Sequence, residues 1–348
     1  WSLRSSFPEG LTVRVLVTGA SSLIGDGVVR ALAARGDEVV CLQRSPVEAL
    51  AALDGVEQQL GDIRDQAAVD RAAHGCDGIV HLAAKVGVMG ESEAFLSINV
   101  EGTRNVLAAA TNSAIARFVH VSSPSVAHGG EAIMGDAATP PVTGRKRAWY
   151  AESKAIAESI AVKANGPDLG VVVIRPHLVW GPGDTQLVGR IVERARQGRL
   201  ALVGGGRALV DTTYIDNAVS ALVAALDAVS PGAMCAGRAY VIANGEPRPI
   251  RDLVAGICAA AGVSFEPRDV PLGAARPIGS LLERAWPKFP DRLRQGEVEP
   301  PLTRFVAEQL GTAHWFDPRP PALDLGWEPM VSLDDGLERL ATWFREIS

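Results

Sequence analysis

Short, nearly continuous apolar runs that alternate with alanine-rich segments of helical period constrain this chain more than any other feature. The runs are "VRVLVTG" (13–19), "EVVCL" (38–42), "GIVHLAA" (78–84), "RFVHVSS" (117–123) and "GVVVIRP" (170–176). Runs of that length and β-branched content are expected of strands buried on both faces. Between them lie "IGDGVVRALAARG", "EAFLSINVEGTRNVLAAATNS" and "YAESKAIAESIAVKA", long enough for crossover helices. Strands alternating with helices predict an α/β fold built on a doubly wound parallel sheet.

After Pro176 the composition shifts towards Gly, Pro and Trp with less regular spacing. "DTTYIDNAVSALVAALDAV" (211–229) and "RAYVIAN" (238–244) then read as a helix and a strand returning to the sheet. The expected organisation is therefore a dinucleotide-binding domain over 11–176 plus 208–245. A smaller, discontinuous substrate lobe would take 177–207 plus 246–348. Residues 1–10, "WSLRSSFPEG", lack the apolar core of a signal peptide and are expected to be a tag or disordered end.

Composition narrows the function. With 47% hydrophobic and 21% charged residues the 348-residue chain can bury an ample core. A formal charge of −6 and dispersed arginines argue against a nucleic-acid surface. No apolar run reaches the roughly 18 to 20 residues that span a bilayer, so no integral membrane segment is expected. Cys41, Cys76, Cys235 and Cys258 show no ligand spacing, and no two of the six histidines stand at H-x-x-x-H. We expect reduced thiols, a cytoplasmic protein and no metal.

"VTGASSLIGDGVV" places Gly19 directly after the first strand and Gly25 at the opening of a helix. A pyrophosphate could lie there on free backbone N–H groups, contributed by Ser21, Ser22, Leu23 and Ile24. Ser22 replaces the middle glycine of the usual G-x-x-G-x-x-G pattern, and is small enough for close approach. At the end of the second strand, where an NAD enzyme keeps an acid for the ribose hydroxyls, stand Arg44 and Ser45. They suit a 2′-phosphate, so NADP is expected in preference to NAD. Asp62 and Ile63 of "GDIRD" would border the adenine, and Leu82, Ala83 and Ala84 would lie beneath the cofactor.

The chemistry is carried by an improbable pair. Only three tyrosines and five lysines occur, and chance would produce a Tyr-x-x-x-Lys pair roughly 0.04 times in such a chain. Tyr150 and Lys154 nevertheless stand four apart at the head of a helix, on one face. Tyr150 is the candidate general acid/base, with the Lys154 ammonium lowering its pKa and holding the nicotinamide ribose. "VSSPSV" offers Ser122, Ser123 and Ser125 to hold the substrate oxygen. Asn99 is the candidate fourth member, either orienting the lysine through water or holding helix backbone.

Together "TGASSLIG", "GDIRD", "HLAAKVG", "NVEGTRNVL", "VSSPSV", "YAESK", "RPHLVWGPGD", "YIDNAVSAL" and "LGWEPMVSLDDGLERLATWF" resemble the extended short-chain dehydrogenase/reductase superfamily, from residue 11 to the end. The resemblance implies a Rossmann-type sheet, a homodimer, Ser123 as the catalytic serine, Tyr150 and Lys154 as the acid/base and its lysine, and Asn99 as the asparagine. "HLAAKVGVMG", "SSPSVA" and "RPHLVWGPGD" look most like the 3β-hydroxysteroid dehydrogenase branch, which includes bacterial reductases of long-chain 3-oxo acids. The rival branch, sugar-nucleotide epimerases and dehydratases, typically carries an arginine where this chain has Val210. A diphosphate would be poorly held without it, so a small lipophilic substrate is expected. A cofactor-binding sensor without turnover is the remaining alternative.

The same resemblance puts Pro176, His177 and Val179 beside the nicotinamide. His177 and Trp180 would border the substrate mouth, although His177 could equally be a backbone-bonded structural residue. Lys85, Met89, Ser125 and Tyr214, with Trp149, are the remaining candidates for the substrate wall. "IGSLLERAWPKF" (278–289) reads as a lid or core helix, with contact to a membrane as the lesser alternative.

Overall fold

The computed structural model describes residues 13–87, 89–144, 148–289 and 300–347. The expected tag or disordered end at 1–10 lies outside them.

Seven strands form one parallel sheet: β1 (Arg14–Thr18), β2 (Glu38–Gln43), β3 (Val56–Leu60), β4 (Gly78–His81), β5 (Arg117–Val121), β7 (Gly170–Pro176) and β12 (Ala239–Ile242). Their spatial order is β12-β7-β5-β4-β1-β2-β3. β4 and the last four residues of β1 are wholly buried, and successive side chains enter opposite cores. Leu16, Val40, Ile79, Phe118 and Val171 pack under helices Gln66–Ala73, Gly102–Asn112 and Trp149–Ala164. Val15, Val17, Val39, Val80, Val119 and Val172 face helices Leu23–Arg35 and Ile215–Ala228. The sheet is therefore wound on both faces, and every buried strand needs apolar residues at consecutive positions.

β3 is the exception. Its sequence "VEQQL" lies at the sheet edge with one face half-exposed. Polar residues along an edge discourage pairing with other chains, and they remove the apolar run by which the other strands announce themselves.

A second, four-stranded sheet is assembled from distant segments. β6 (Ile133–Asp136) pairs with β15 (His314–Phe316), which pairs with β10 (Leu209–Val210), itself antiparallel to β13 (Arg248–Pro249). Two small parallel pairs complete the set, β8 (Val179–Trp180) with β11 (Thr213–Tyr214) and β9 (Ala201–Val203) with β14 (Arg268–Val270). The helix Leu272–Ala285 lays Ala275 and Gly279 inward, Gly279 against the backbone of Thr303 and Arg304, and leaves Leu281 exposed. Arg276 at its start donates to the carbonyl of Gly130 at 2.9 Å, which ties this helix to the loop after β5. Among the described residues no helix is long and apolar enough to cross a membrane.

Histidines join the two sheets. The His128 and His314 rings meet edge to face at 4.5 Å, and His177 packs on Phe316 at 5.1 Å. His177 and His314 are each pushed down to about 4, chiefly by burial, and His81 to about 3. His120 is also held well below the ordinary imidazole value by burial. An unfolded imidazole titrates near 6.5. Between about pH 6.5 and 4 the unfolded chain therefore binds protons that these four residues refuse in the fold, and stability falls with pH. Asp211, raised to about 7 by burial, and Asp227, also raised by burial, oppose them. Thermal unfolding should accordingly show Tm falling by more than about 5 °C between pH 7 and pH 5; a Tm constant over that interval contradicts this account.

Candidate active site

The carboxyl ends of β1 and β4 part at the point where strand order reverses, and the crevice between them is where an α/β sheet binds its ligand. Gly19 leaves β1 with φ +78°, and a Cβ there would stand 2.7 Å from the Ala83 nitrogen. Gly25 is packed so tightly that a Cβ would lie 2.2 Å from the Gly19 oxygen. The two glycines thus press the β1 turn, the "HLAA" segment and the helix start together. Ser22 caps that helix: its Oγ accepts from Gly25 N at 3.1 Å and donates to the Gly19 carbonyl at 2.8 Å. The first-turn N–H groups of Leu23 and Ile24 have no acceptor inside the helix. With Ser21 and Ser22 exposed beside them, this end fits the pyrophosphate of a dinucleotide.

Arg44 and Ser45 are exposed at the end of β2. Asp62 is held below the usual carboxylate range by Arg64, whose backbone N–H, Nε and Nη2 all reach it at 2.7 to 3.0 Å, with Arg44 contributing. Ile63 is buried under Gly102, Ala83 N donates to Thr18 Oγ1 at 3.3 Å, and Leu82 and Ala84 are partly buried at the end of β4.

The helix Trp149–Ala164, packed on one face of the sheet, brings Lys154 to the end of β5. Tyr150 hydrogen-bonds Ser123, while Ser125 Oγ donates to Ser123 Oγ at 2.9 Å. Tyr150, Ser123 and Ser125 therefore meet at one place; Ser122 Oγ has no partner there. The Lys154 ammonium is almost wholly buried and donates to the Val121 carbonyl at 2.5 Å. Burial lowers it to about 8, against the pull of Glu158 four residues on. The phenol of Tyr150 is raised above its ordinary value by burial, with the Ser123 bond acting the other way. Lys154, expected to lower the phenol, is not among these causes: burial, which disfavours the phenolate, is the largest.

Asn99 lies in a π-helical turn, Leu96–Glu101, that leads into the helix Gly102–Asn112. Its Oδ1 accepts from Lys85 N at 2.6 Å, and its Nδ2 donates to the Lys85 carbonyl at 3.0 Å and to Ser153 Oγ at 2.9 Å. Both amide hydrogens are thereby used. These bonds are of the backbone-holding kind expected, made to the loop at Lys85 and to Ser153 rather than to the backbone of its own helix.

The family is decided by a match over residues 16–271 to the 3-beta hydroxysteroid dehydrogenase/isomerase family. The chain belongs to that family. It is an oxidoreductase of the extended short-chain dehydrogenase/reductase superfamily, acting between hydroxyl and keto groups. Among its relatives, a 2-alkyl-3-oxoalkanoate reductase of Stenotrophomonas maltophilia is 45% identical, the alignment covering 94% of this chain and 98% of the reductase. A 3-beta-hydroxysteroid dehydrogenase of Mycolicibacterium neoaurum is 31% identical over 96% of this chain and 92% of its own. Among solved structures, a dTDP-glucose 4,6-dehydratase from Streptomyces venezuelae with NAD and DAU bound superposes with TM-score 0.72. It is 25% identical, over 96% of this chain and 97% of the dehydratase.

Several expected site residues of this family member lie elsewhere. Trp180 has no exposed surface, its Nε1 donates to Thr212 Oγ1 at 2.9 Å, and its ring meets Tyr214 edge to face at 5.4 Å. Tyr214 is buried against Gly181 and Gly336. Both are core residues rather than a substrate wall, because large aromatics fill the space between Ile215–Ala228 and the final helix Leu333–Ile347. His177 takes the structural alternative, with Nδ1 bonded to the Asp211 carbonyl. Pro176 and Val179 flank it, partly buried. Met89 is partly buried beside Gly90, Trp149 is partly buried next to Tyr150, and the Lys85 ammonium lies 5.1 Å above the Phe95 ring.

Glu158 and Arg175 escaped the sequence reading. They form a fully buried ion pair, and Arg175 also donates to the Thr139 carbonyl at 2.8 Å. Two signals were present: Tyr150, Lys154 and Glu158 follow one another at four-residue steps, and Arg175 interrupts an apolar strand that could not bury it alone. Glu158→Gln leaves the Arg175 charge unpaired in the core, and should cost about 3–5 kcal/mol of stability in urea unfolding. A loss below about 1 kcal/mol is the result that contradicts a buried pair.

Proposed function

We propose that this chain is an NADP-linked reductase of a 3-oxo group on a lipophilic acid of the 2-alkyl-3-oxoalkanoate class. The observation that carries the mechanism is the meeting of Tyr150 with Ser123 and Ser125, with Lys154 one helical turn on, since reducing a ketone requires a proton donor and a group that holds the oxygen. The substrate class rests on the relative at 45% identity along nearly the whole of both chains. Val210 in place of an arginine removes one donor for a sugar-nucleotide diphosphate, which disfavours the epimerase reading. Four free, buried cysteines suit a reducing cytosol.

A nicotinamide cofactor, held by Gly19, Ser21 to Gly25, Arg44, Ser45 and the Asp62 segment, supplies the hydride when bound. The protein does the rest. Ser123 holds the ketone oxygen, and Tyr150 gives its phenolic proton to that oxygen as the carbonyl becomes an alcohol. The phenolate left behind is stabilised by the Lys154 ammonium and then reprotonated from solvent. The same lysine holds the ribose, so one cation serves both binding and acid strength.

Three measurements test this. Against a panel of 2-alkyl-3-oxo acids, hydroxysteroids and nucleotide sugars, the 3-oxo acids should be reduced with NADPH, and Tyr150→Phe should lower kcat by roughly 10²–10⁴-fold. Turnover confined to hydroxysteroids would move the substrate class to that of the Mycolicibacterium relative; an unimpaired Tyr150→Phe would overturn the mechanism. Arg44→Ala should raise KM for NADPH about tenfold and leave NADH unchanged; an equal change for both removes the preference for NADP. Because Lys154 titrates at about 8, kcat/KM for reduction should hold through neutral pH and decline above about pH 8. A profile flat to pH 10 would show that the lysine charge is not required.

A further inference from the structure

We propose that Ser153 is a positioning residue that fixes Tyr150 by fastening the first turn of its helix to Asn99 and, through Asn99, to the Lys85 loop. The proposal rests on the reading of Tyr150 as the proton donor. The helix Trp149–Ala164 begins without the usual support: its N-cap is Ala148, and no side chain caps it. A capping side chain normally satisfies the free N–H groups of a helix start, and alanine cannot. Tyr150 lies in that turn, which Glu152 ties to the preceding loop by accepting from Gly144 N at 2.7 Å, and a displacement of about 1 Å in a reacting group can cost a hundredfold in rate. A catalytic side chain at an uncapped helix start needs its restraint from elsewhere.

Ser153 supplies it. The residue has no exposed surface; its Oγ donates to the Tyr150 carbonyl at 3.0 Å and accepts from Asn99 Nδ2 at 2.9 Å. The Asn99 amide is in turn bonded to both the N–H and the C=O of Lys85. Three separate segments therefore converge on one amide: the "HLAAK" loop after β4, the π-helical turn, and the catalytic turn. The π-helical geometry accounts for Asn99 reaching sideways, because a widened turn re-aims its side chains and is often kept at functional sites. Ser159 of the same helix provides an internal contrast. Its Oγ also bonds back along the helix, to the Ala155 carbonyl at 2.8 Å, and it takes no bond from Asn99.

The experiment compares wild type, Ser153→Ala and Ser159→Ala, by hydrogen exchange and by steady-state reduction of a 2-alkyl-3-oxo acid with NADPH. Ser153→Ala should lose roughly tenfold of the exchange protection at amides 152–154, with the amides from 156 to 163 unchanged. Its kcat should fall roughly tenfold to a hundredfold while KM for NADPH stays within about twofold. Ser159→Ala should change neither. Exchange in Ser153→Ala identical to wild type overturns the fastening, whatever turnover does. Lost protection with kcat unchanged overturns its importance for Tyr150. A wild-type protein that reduces no 3-oxo acid counts against the substrate reading alone, since exchange needs no turnover and still decides the fastening. Should Ser153→Ala not fold, Ser153→Cys, which keeps only a weak donor in that place, is read instead with the same expectations.

Discussion

The Lys154 ammonium, nearly sealed from water beneath the end of the sheet, is the charge on which the rest of the site depends. Desolvating an ammonium is costly unless carbonyls and counter-charges replace the lost water. Here the Val121 carbonyl takes a hydrogen bond and Glu158 supplies the opposite charge. Glu158 is itself buried, so it requires Arg175, and Arg175 requires the Thr139 carbonyl. One functional charge thus dictates a line of polar residues, Glu158 and Arg175, through the core. The outcome is an ammonium lowered to about 8, still charged at neutral pH.

Burial acts on Tyr150 in the opposite chemical sense. For an acid, desolvation protects the proton, so the phenol is kept protonated and is made a weaker acid. The same low-dielectric pocket therefore weakens the lysine's hold on its proton while strengthening the tyrosine's. Precision has to come from hydrogen bonds at the margins: Ser123 on the phenol, Ser153 on the backbone behind it, and Asn99 on the loop alongside.

Much of this was legible in the residues. The apolar runs identified the buried strands because a strand covered on both faces needs apolar residues at every position. β3 is absent from those runs, since an edge strand has no such need. Tyr150 and Lys154 declared themselves by helical spacing, and Gly19 by the turn that brings the chain against Ala83. Trp180 and Tyr214 were misplaced because an aromatic near a cleft and an aromatic in a core look identical in one dimension. Arg64 and Glu158 were missed although each lies within four residues of a residue already singled out.

The sequence by itself determined the sheet, its winding and the helical pair that carries the chemistry, because these follow from local periodicity and backbone sterics. Only the tertiary structure decided the protonation bias of Tyr150, the use made of Asn99 and the partner of Arg175. Each of those depends on how far a group is removed from water and on which distant atoms, up to 54 residues away in the case of Asn99 and Ser153, are brought within hydrogen-bond reach.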